Sequence, residues 1–152
     1  MRGVAQAIAR SRAVKIYICN LMTQPGETTG FSASDHLRTI DEHCGFPLFD
    51  AVLLNTAPIP KRLQKRYLAE RSRPVPIDLP ELMEMDLRVV TTELVSVERL
   101  ATTTTKWVRH DPDRLARTVL GIAASHADRS SSRVKRSGGS SKEKTPKAAR
   151  GT

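Results

Sequence analysis

Five side chains able to hydrogen-bond a polar ligand fall within one short stretch: Asn20, Thr23, Gln24, Glu27 and Thr28, grouped around Pro25-Gly26. Amides and hydroxyls each offer donors and acceptors, so this set suits a sugar or a uracil ring. The same residue types also build turns in which Asn and Thr only satisfy their own backbone, and spacing alone leaves both readings open. A second group lies far downstream at Arg109-His110-Asp111. The Arg109 guanidinium could hold a diphosphate through two parallel hydrogen bonds. An ordinary capped helix beginning beside a surface arginine would look identical. Asp35 and His36 form a third pair. A carboxylate in the first turn of a helix is explained by capping and by the helix dipole, whereas His36 is either a phosphate contact or base, or a plain helix-start residue. His36 and His43 are seven residues apart, about 10 Å along a helix, too far to share an ion by themselves. Cys19 and Cys44 lack metal-ligand spacing, so zinc is not supported, while magnesium held through ligand phosphates is compatible with these residues. No paired carboxylates and no nucleophile-base arrangement stand out, which favours binding over catalysis and leaves no catalytic residue to name.

These side chains need elements to hold them. Val14 to Cys19 is a short apolar run rich in β-formers and reads as a buried strand ending at Asn20. Pro25-Gly26 suits a type II turn. Ser32 with Asp35 three residues on is a capping-box pattern. Leu37, Ile40 and Cys44 share a helical face, and Gly45 is a natural stop. Asp50 to Asn55 reads as a second buried strand, and Pro60 opens a helix reaching about Ser72, ahead of Pro74. Val75–Asp78 is expected as a short strand and Leu87–Val95 as a longer one. Thr102–Thr105 is a polar loop. Asp111 and Pro112 then start a last helix, whose buried face is Leu115, Val119 and Ile122. Residues 3–11, with Val4, Ala5, Ile8 and Ala9 on one face, form a leading helix. The alternation predicts an α/β, Rossmann-like fold, a mostly parallel sheet of about four strands with flanking helices. Its polar residues sit at a strand's carboxyl end, where open α/β sheets bind ligands.

Lys15-Ile16-Tyr17-Ile18-Cys19-Asn20-Leu21-Met22-Thr23-Gln24-Pro25-Gly26-Glu27-Thr28, followed by Ser32-Ala33-Ser34-Asp35-His36, closely resembles the MTQPGET…SDH signature of the bacterial gluconeogenesis factor family. That family lies within the superfamily of 2-phospho-L-lactate transferase. Weaker similarities follow at Ala51–Asn55, Tyr67, Pro74-Val75 and Arg109-His110-Asp111, and the resemblance covers roughly residues 1–124. It implies a cleft lined by the signature loop, with Tyr67 near a base or sugar and Arg109 on a nucleotide-sugar such as UDP-N-acetylglucosamine. From the residues alone, Tyr67 is simply a core residue one turn after Leu63, and Lys61, Arg62, Lys65, Arg66, Arg71 and Arg73 form a solvated basic face. The resemblance also implies a glycine-rich phosphate turn in an N-terminal half that has no counterpart here, so the chain resembles the C-terminal half of such a protein. Two functions follow: a UDP-sugar-binding regulator of growth and cell shape on gluconeogenic carbon sources, or a transferase joining a nucleotide to a phosphorylated hydroxy acid.

Charge is unevenly spread. Residues 127–152 hold eight Lys or Arg against two Asp or Glu, so +6 of the net +9 lies there and +3 in residues 1–126. The expectation is one α/β domain over 1–126 and a disordered Ser/Lys/Arg-rich tail over 127–152, too poor in apolar area to offset chain entropy. The tail has no aromatic residue for stacking on bases, which argues against a nucleic-acid partner. No apolar run reaches membrane-spanning length, and two cysteines without a framework fit a cytoplasmic protein. A homo-oligomer and a protein partner are both compatible with the sequence.

Overall fold

The computed structural model describes residues 2–95 and 107–137, with the side chains of 2 and 128–137 excepted. The expected loop at Thr102–Thr105 and residues 138–152 of the expected tail lie outside the described residues. The elements run α1 (Arg2–Arg10), β1 (Ile16–Ile18), α2 (Ala33–Cys44), β2 (Ala51–Asn55), α3 (Lys61–Ala69), α4 (Leu79–Met83), β3 (Arg88–Thr92) and α5 (Pro112–Ser137).

The three strands are parallel in the order β1-β2-β3. Ile16 lies opposite Ala51, and Ala51 opposite Arg88. β2 is central and nearly all buried, as an apolar strand covered on both faces must be. Side chains alternate between the faces. Tyr17, Cys19, Val52, Leu54 and Val89 pack with Ala33 and Leu37 of α2 and Leu82 of α4. Ile16, Ile18, Ala51, Leu53 and Val90 pack with Leu115, Val119 and Ile122 of α5. A third cluster lies beyond the strands' carboxyl ends, where Met22, Ala57, Ile59, Leu63, Tyr67, Val95 and Val108 come together.

The caps expected from the sequence are present. Ser32 and Asp35 close a reciprocal capping box on α2, and Gly45 ends it in the left-handed region at φ 81°. Asp111 accepts hydrogen bonds from Asp113 N and Arg114 N at 3.1 Å, capping α5.

Four differences have physical causes. Val75–Asp78 is not a strand, because Pro74 and Pro76 supply no N–H for a ladder. The segment makes one antiparallel bridge, Met22 to Pro74, and then enters α4, which the sequence reading did not anticipate. The sheet therefore has three strands among the described residues, against about four expected. α3 ends at Ala69 rather than near Ser72, because Arg71 takes φ 59° and reverses the chain. α5 runs through Ser137, into the stretch from residue 127 expected as a disordered tail. No glycine or proline interrupts residues 122–137, and extending an anchored helix costs far less than nucleating one.

Candidate functional site

β1 ends beneath a cleft of about 410 Å³. Its walls come from three places: Asn20 to Pro25 after β1, Tyr67, Glu70 and Ser72 at the end of α3, and Trp107 to His110 ahead of α5. Of the residues singled out from the sequence, Asn20, Thr23, Gln24, Tyr67 and Arg109 line this space; Glu27, Thr28 and His36 do not.

The loop after β1 is braced from within. Gly26 at φ 81° has the conformation required at the third position of a type II turn. Thr28 Oγ1 accepts from Gln24 N at 2.8 Å, and Thr28 N donates to Gln24 O at 2.9 Å. Thr28 thus shapes the loop, and Glu27 faces solvent. Thr23 is buried. Its N–H donates to Arg73 O, its Oγ1 accepts from Arg73 N at 3.0 Å, and its carbonyl accepts from the Ser72 hydroxyl. These bonds tie the signature loop to the exit of α3. Asn20 and Gln24 are exposed where they line the cleft.

The opposite wall is pinned with equal care. Val108 N donates to the Tyr67 hydroxyl at 2.9 Å in a buried contact. Tyr67 and Trp107 meet edge to face with centroids 6.1 Å apart, and the Arg66 guanidinium lies 5.7 Å from the Trp107 ring centre. Asp111 N donates to Leu94 O. Arg109 therefore projects from a short segment fixed at both ends, is itself exposed, and makes no ion pair with a described residue. Tyr67 both lines the cleft and, through its oxygen, holds this segment.

His110 is half-buried against the Cys19 backbone, and burial lowers its pKa from the ordinary histidine value. Its Nε2 is buried without a hydrogen-bond partner. At neutral pH the ring is uncharged. Cys19 is also buried, and burial together with the Asp78 charge pushes its thiol up to about 12. It is a core sulfur rather than a nucleophile.

His36 lies outside the cleft lining, buried at the start of α2. Only 5% of it is exposed, its Nδ1 lies 2.8 Å from Ser32 O, and Phe31 and Tyr17 flank the ring. The start of α2 is likewise closed to an anion. Ala33 N donates to Pro76 O, Ser34 N to Asp78 Oδ1, Asp35 N to Ser32 Oγ and His36 N to Ser32 O. All first-turn donors are used, and two carboxylates already occupy the dipole's positive end.

Glu70, Ser72, Trp107 and His110 were not among the ligand residues expected from the sequence. A lone Trp two residues before Arg109 was the available signal. Ser72 had none, since it meets Thr23 across 49 residues of chain. Among the described residues no group of three or more His, Cys, Asp or Glu side chains is placed to hold a metal ion, and no helix is long and apolar enough to cross a membrane.

Residues 1–95 match the family model described as 2-phospho-L-lactate transferase CofD. The chain belongs to the CofD family. This CofD-family chain is 34% identical over 119 residues to the gluconeogenesis factor of Bacillus subtilis (strain 168), covering 78% of itself and 36% of that protein. It is 40% identical over 118 residues to a putative gluconeogenesis factor of Nostoc sp. (strain PCC 7120), covering 77% of itself and 25% of the relative. A crystal structure of a UPF0052 family member from Bacillus halodurans superposes with a TM-score of 0.69 at 34% identity, over 78% of this chain and 36% of the other. The chain thus spans about a third of the length of such relatives, or less.

Proposed function

We propose that the cleft after β1 is part of a nucleotide-sugar site in a regulatory protein of the gluconeogenesis factor type. The observation that carries this reading is the convergence of Asn20, Gln24, Tyr67 and Arg109 on one cavity, from segments up to 89 residues apart in sequence. Arg109 would pair with the diphosphate of a UDP-sugar. The exposed amides of Asn20 and Gln24 would read the sugar or the base, and Thr23 and Thr28 would hold the loop in shape. A volume of about 410 Å³ lies within the range of small-molecule pockets, roughly 300–1,000 Å³. In the cell such a protein would support growth and envelope shape on gluconeogenic carbon sources, with the sugar nucleotide as its signal.

The family model's name supports a second reading, a transferase that joins a nucleotide to a phosphorylated hydroxy acid. The cleft offers one carboxylate, Glu70, and an uncharged histidine, His110. Neither is hydrogen-bonded to a nucleophilic side chain among the described residues.

The test is a thermal melt of this chain with and without excess UDP-N-acetylglucosamine. At about 100 times its Kd the ligand adds about 2.7 kcal/mol of stability. Arg109→Ala should weaken binding by roughly 1.5–3 kcal/mol, the scale of a lost charge-assisted contact. A cooperative melt that does not move with ligand would sink the UDP-sugar reading for this chain. Formation of a new nucleotide ester from a nucleotide donor and 2-phospho-L-lactate would favour the transferase.

A further inference from the structure

Behind the Thr23–Arg73 tie lies a second cavity of about 460 Å³. Among the described residues it shares only Thr23 with the cleft described above. Two features set it apart from an incidental groove. The first is its chemistry. Phe31, Leu68, Pro74 and Pro76 form an apolar wall, and two arginines, Arg71 and Arg73, stand on the rim with no carboxylate among the described residues of the lining. Both arginines are exposed, and neither is in an ion pair with a described residue. Guanidinium forks in this setting match the paired oxygens of a phosphate.

The second feature is where Arg71 sits. Arg71 N donates to Leu68 O at 3.0 Å and Ser72 N to Tyr67 O at 2.8 Å. This is the hydrogen-bond pattern of a Schellman motif, whose left-handed position is normally glycine. Here it is Arg71 at φ 59°, the one non-glycine residue with positive φ among those described. A Cβ in that conformation is strained. A side chain kept at such a position at the expense of fold stability points to a use for the side chain.

We infer that this second cavity binds a small organic phosphomonoester, its phosphate held by Arg71 and Arg73 and its apolar body laid against Phe31, Leu68, Pro74 and Pro76. The Thr29 and Thr23 hydroxyls also border the cavity, and their oxygens already accept from Gly26 N and Arg73 N. Nothing in this assignment depends on what occupies the cleft beside Arg109.

Phenyl phosphate is the probe, titrated calorimetrically into the chain alongside inorganic phosphate. Saturable binding of phenyl phosphate, tighter than that of inorganic phosphate, is expected. Arg71→Gly and Arg73→Ala should each weaken it at least tenfold, the loss of one charge-assisted contact. Arg71→Gly should melt no lower than the parent chain, because glycine relieves the left-handed strain. Arg109→Ala should leave phenyl phosphate affinity unchanged. The proposal is overturned if phenyl phosphate does not saturate, if it binds no better than inorganic phosphate, or if neither arginine change weakens it. Loss of binding on Arg109→Ala alone would place the phosphate in the other cleft and overturn it equally. A lower melting temperature for Arg71→Gly would overturn it too, since Arg71 would then be held at no cost to the fold.

Discussion

Tyr67 does more at the residue scale than its position one turn after Leu63 announced. Its ring fills the core cluster beyond the strands, and its hydroxyl accepts the buried Val108 N–H. Tyr67→Phe keeps the packing but leaves that N–H unsatisfied, and should cost about 1–3 kcal/mol in urea unfolding. A change within a few tenths of a kcal/mol would mean that water replaces the oxygen. His110 gives a pH signature. Burial depresses its folded pKa below the unfolded value, so the unfolded chain takes up the proton first as pH falls. Its contribution to stability is complete above about pH 6.5 and is lost as pH drops through the folded pKa. Melts between pH 7.5 and 5 should show this decline, and His110→Gln should flatten it. Arg109 was a candidate through the Arg109-His110-Asp111 triplet, and Tyr67 only through the family resemblance. Glu70, Ser72 and Trp107 were not candidates, because their roles arise only when the ends of α3 and β1 meet.

At the scale of elements, α2 was the most legible part of the chain. Ser32, Asp35 and Gly45 each carry a local signal, and local signals are what a sequence displays. Asp78 shows the opposite case. It lies 44 residues from Ser34 yet accepts both its N–H and its hydroxyl, bridging the start of α4 to the start of α2. Burial would raise the Asp78 carboxyl, but the Ser34 and Ser32 hydrogen bonds outweigh this and hold it below the usual range. Asp50 behaves alike. Burial opposes its ionisation, and Lys15, through its N–H at 2.7 Å and its ammonium at 2.9 Å, more than offsets that. Both carboxylates have depressed folded pKa values, so their stabilisation is present above about pH 4 and lost as pH falls below it. Asp78→Ala should cost about 1–2 kcal/mol at neutral pH, as lost helix caps do, and should reduce the acid sensitivity. Equal acid sensitivity in mutant and parent would assign the effect elsewhere. The strand expected at Val75–Asp78 failed for an element-scale reason. Its apolar residues alternate with prolines, which the hydrophobic pattern does not penalise and the ladder does.

The whole molecule divides its labour between two faces and one end. α2 and α4 cover one face of the sheet, α5 covers the other, and both cavities lie beyond the strands' carboxyl ends. The alternation of elements was enough to place this end in advance, since ligands gather where parallel strands finish. Which residues meet there was not readable, because the meeting depends on contacts spanning 41 to 50 residues. Charge is distributed by a different logic. The last 15 residues, 138–152, carry Lys142, Lys144, Lys147 and Arg150 and no large apolar side chain. Deleting them should leave unfolding free energy within about 0.5 kcal/mol of the parent and leave UDP-sugar affinity intact. A larger loss of either would show that this segment takes part in the fold or the site.

Trp107 is the chain's single tryptophan. It stands on the rim of the cleft, 47% exposed, edge to face with Tyr67 and beside the Arg66 guanidinium. Indole emission responds to the polarity and quenching groups around the ring, and here those surroundings are the cleft itself. The protein therefore carries a built-in optical reporter at this one place, with no second indole to dilute it. A change in emission colour on mixing would time the filling of the cleft, without a label and on the unmodified chain.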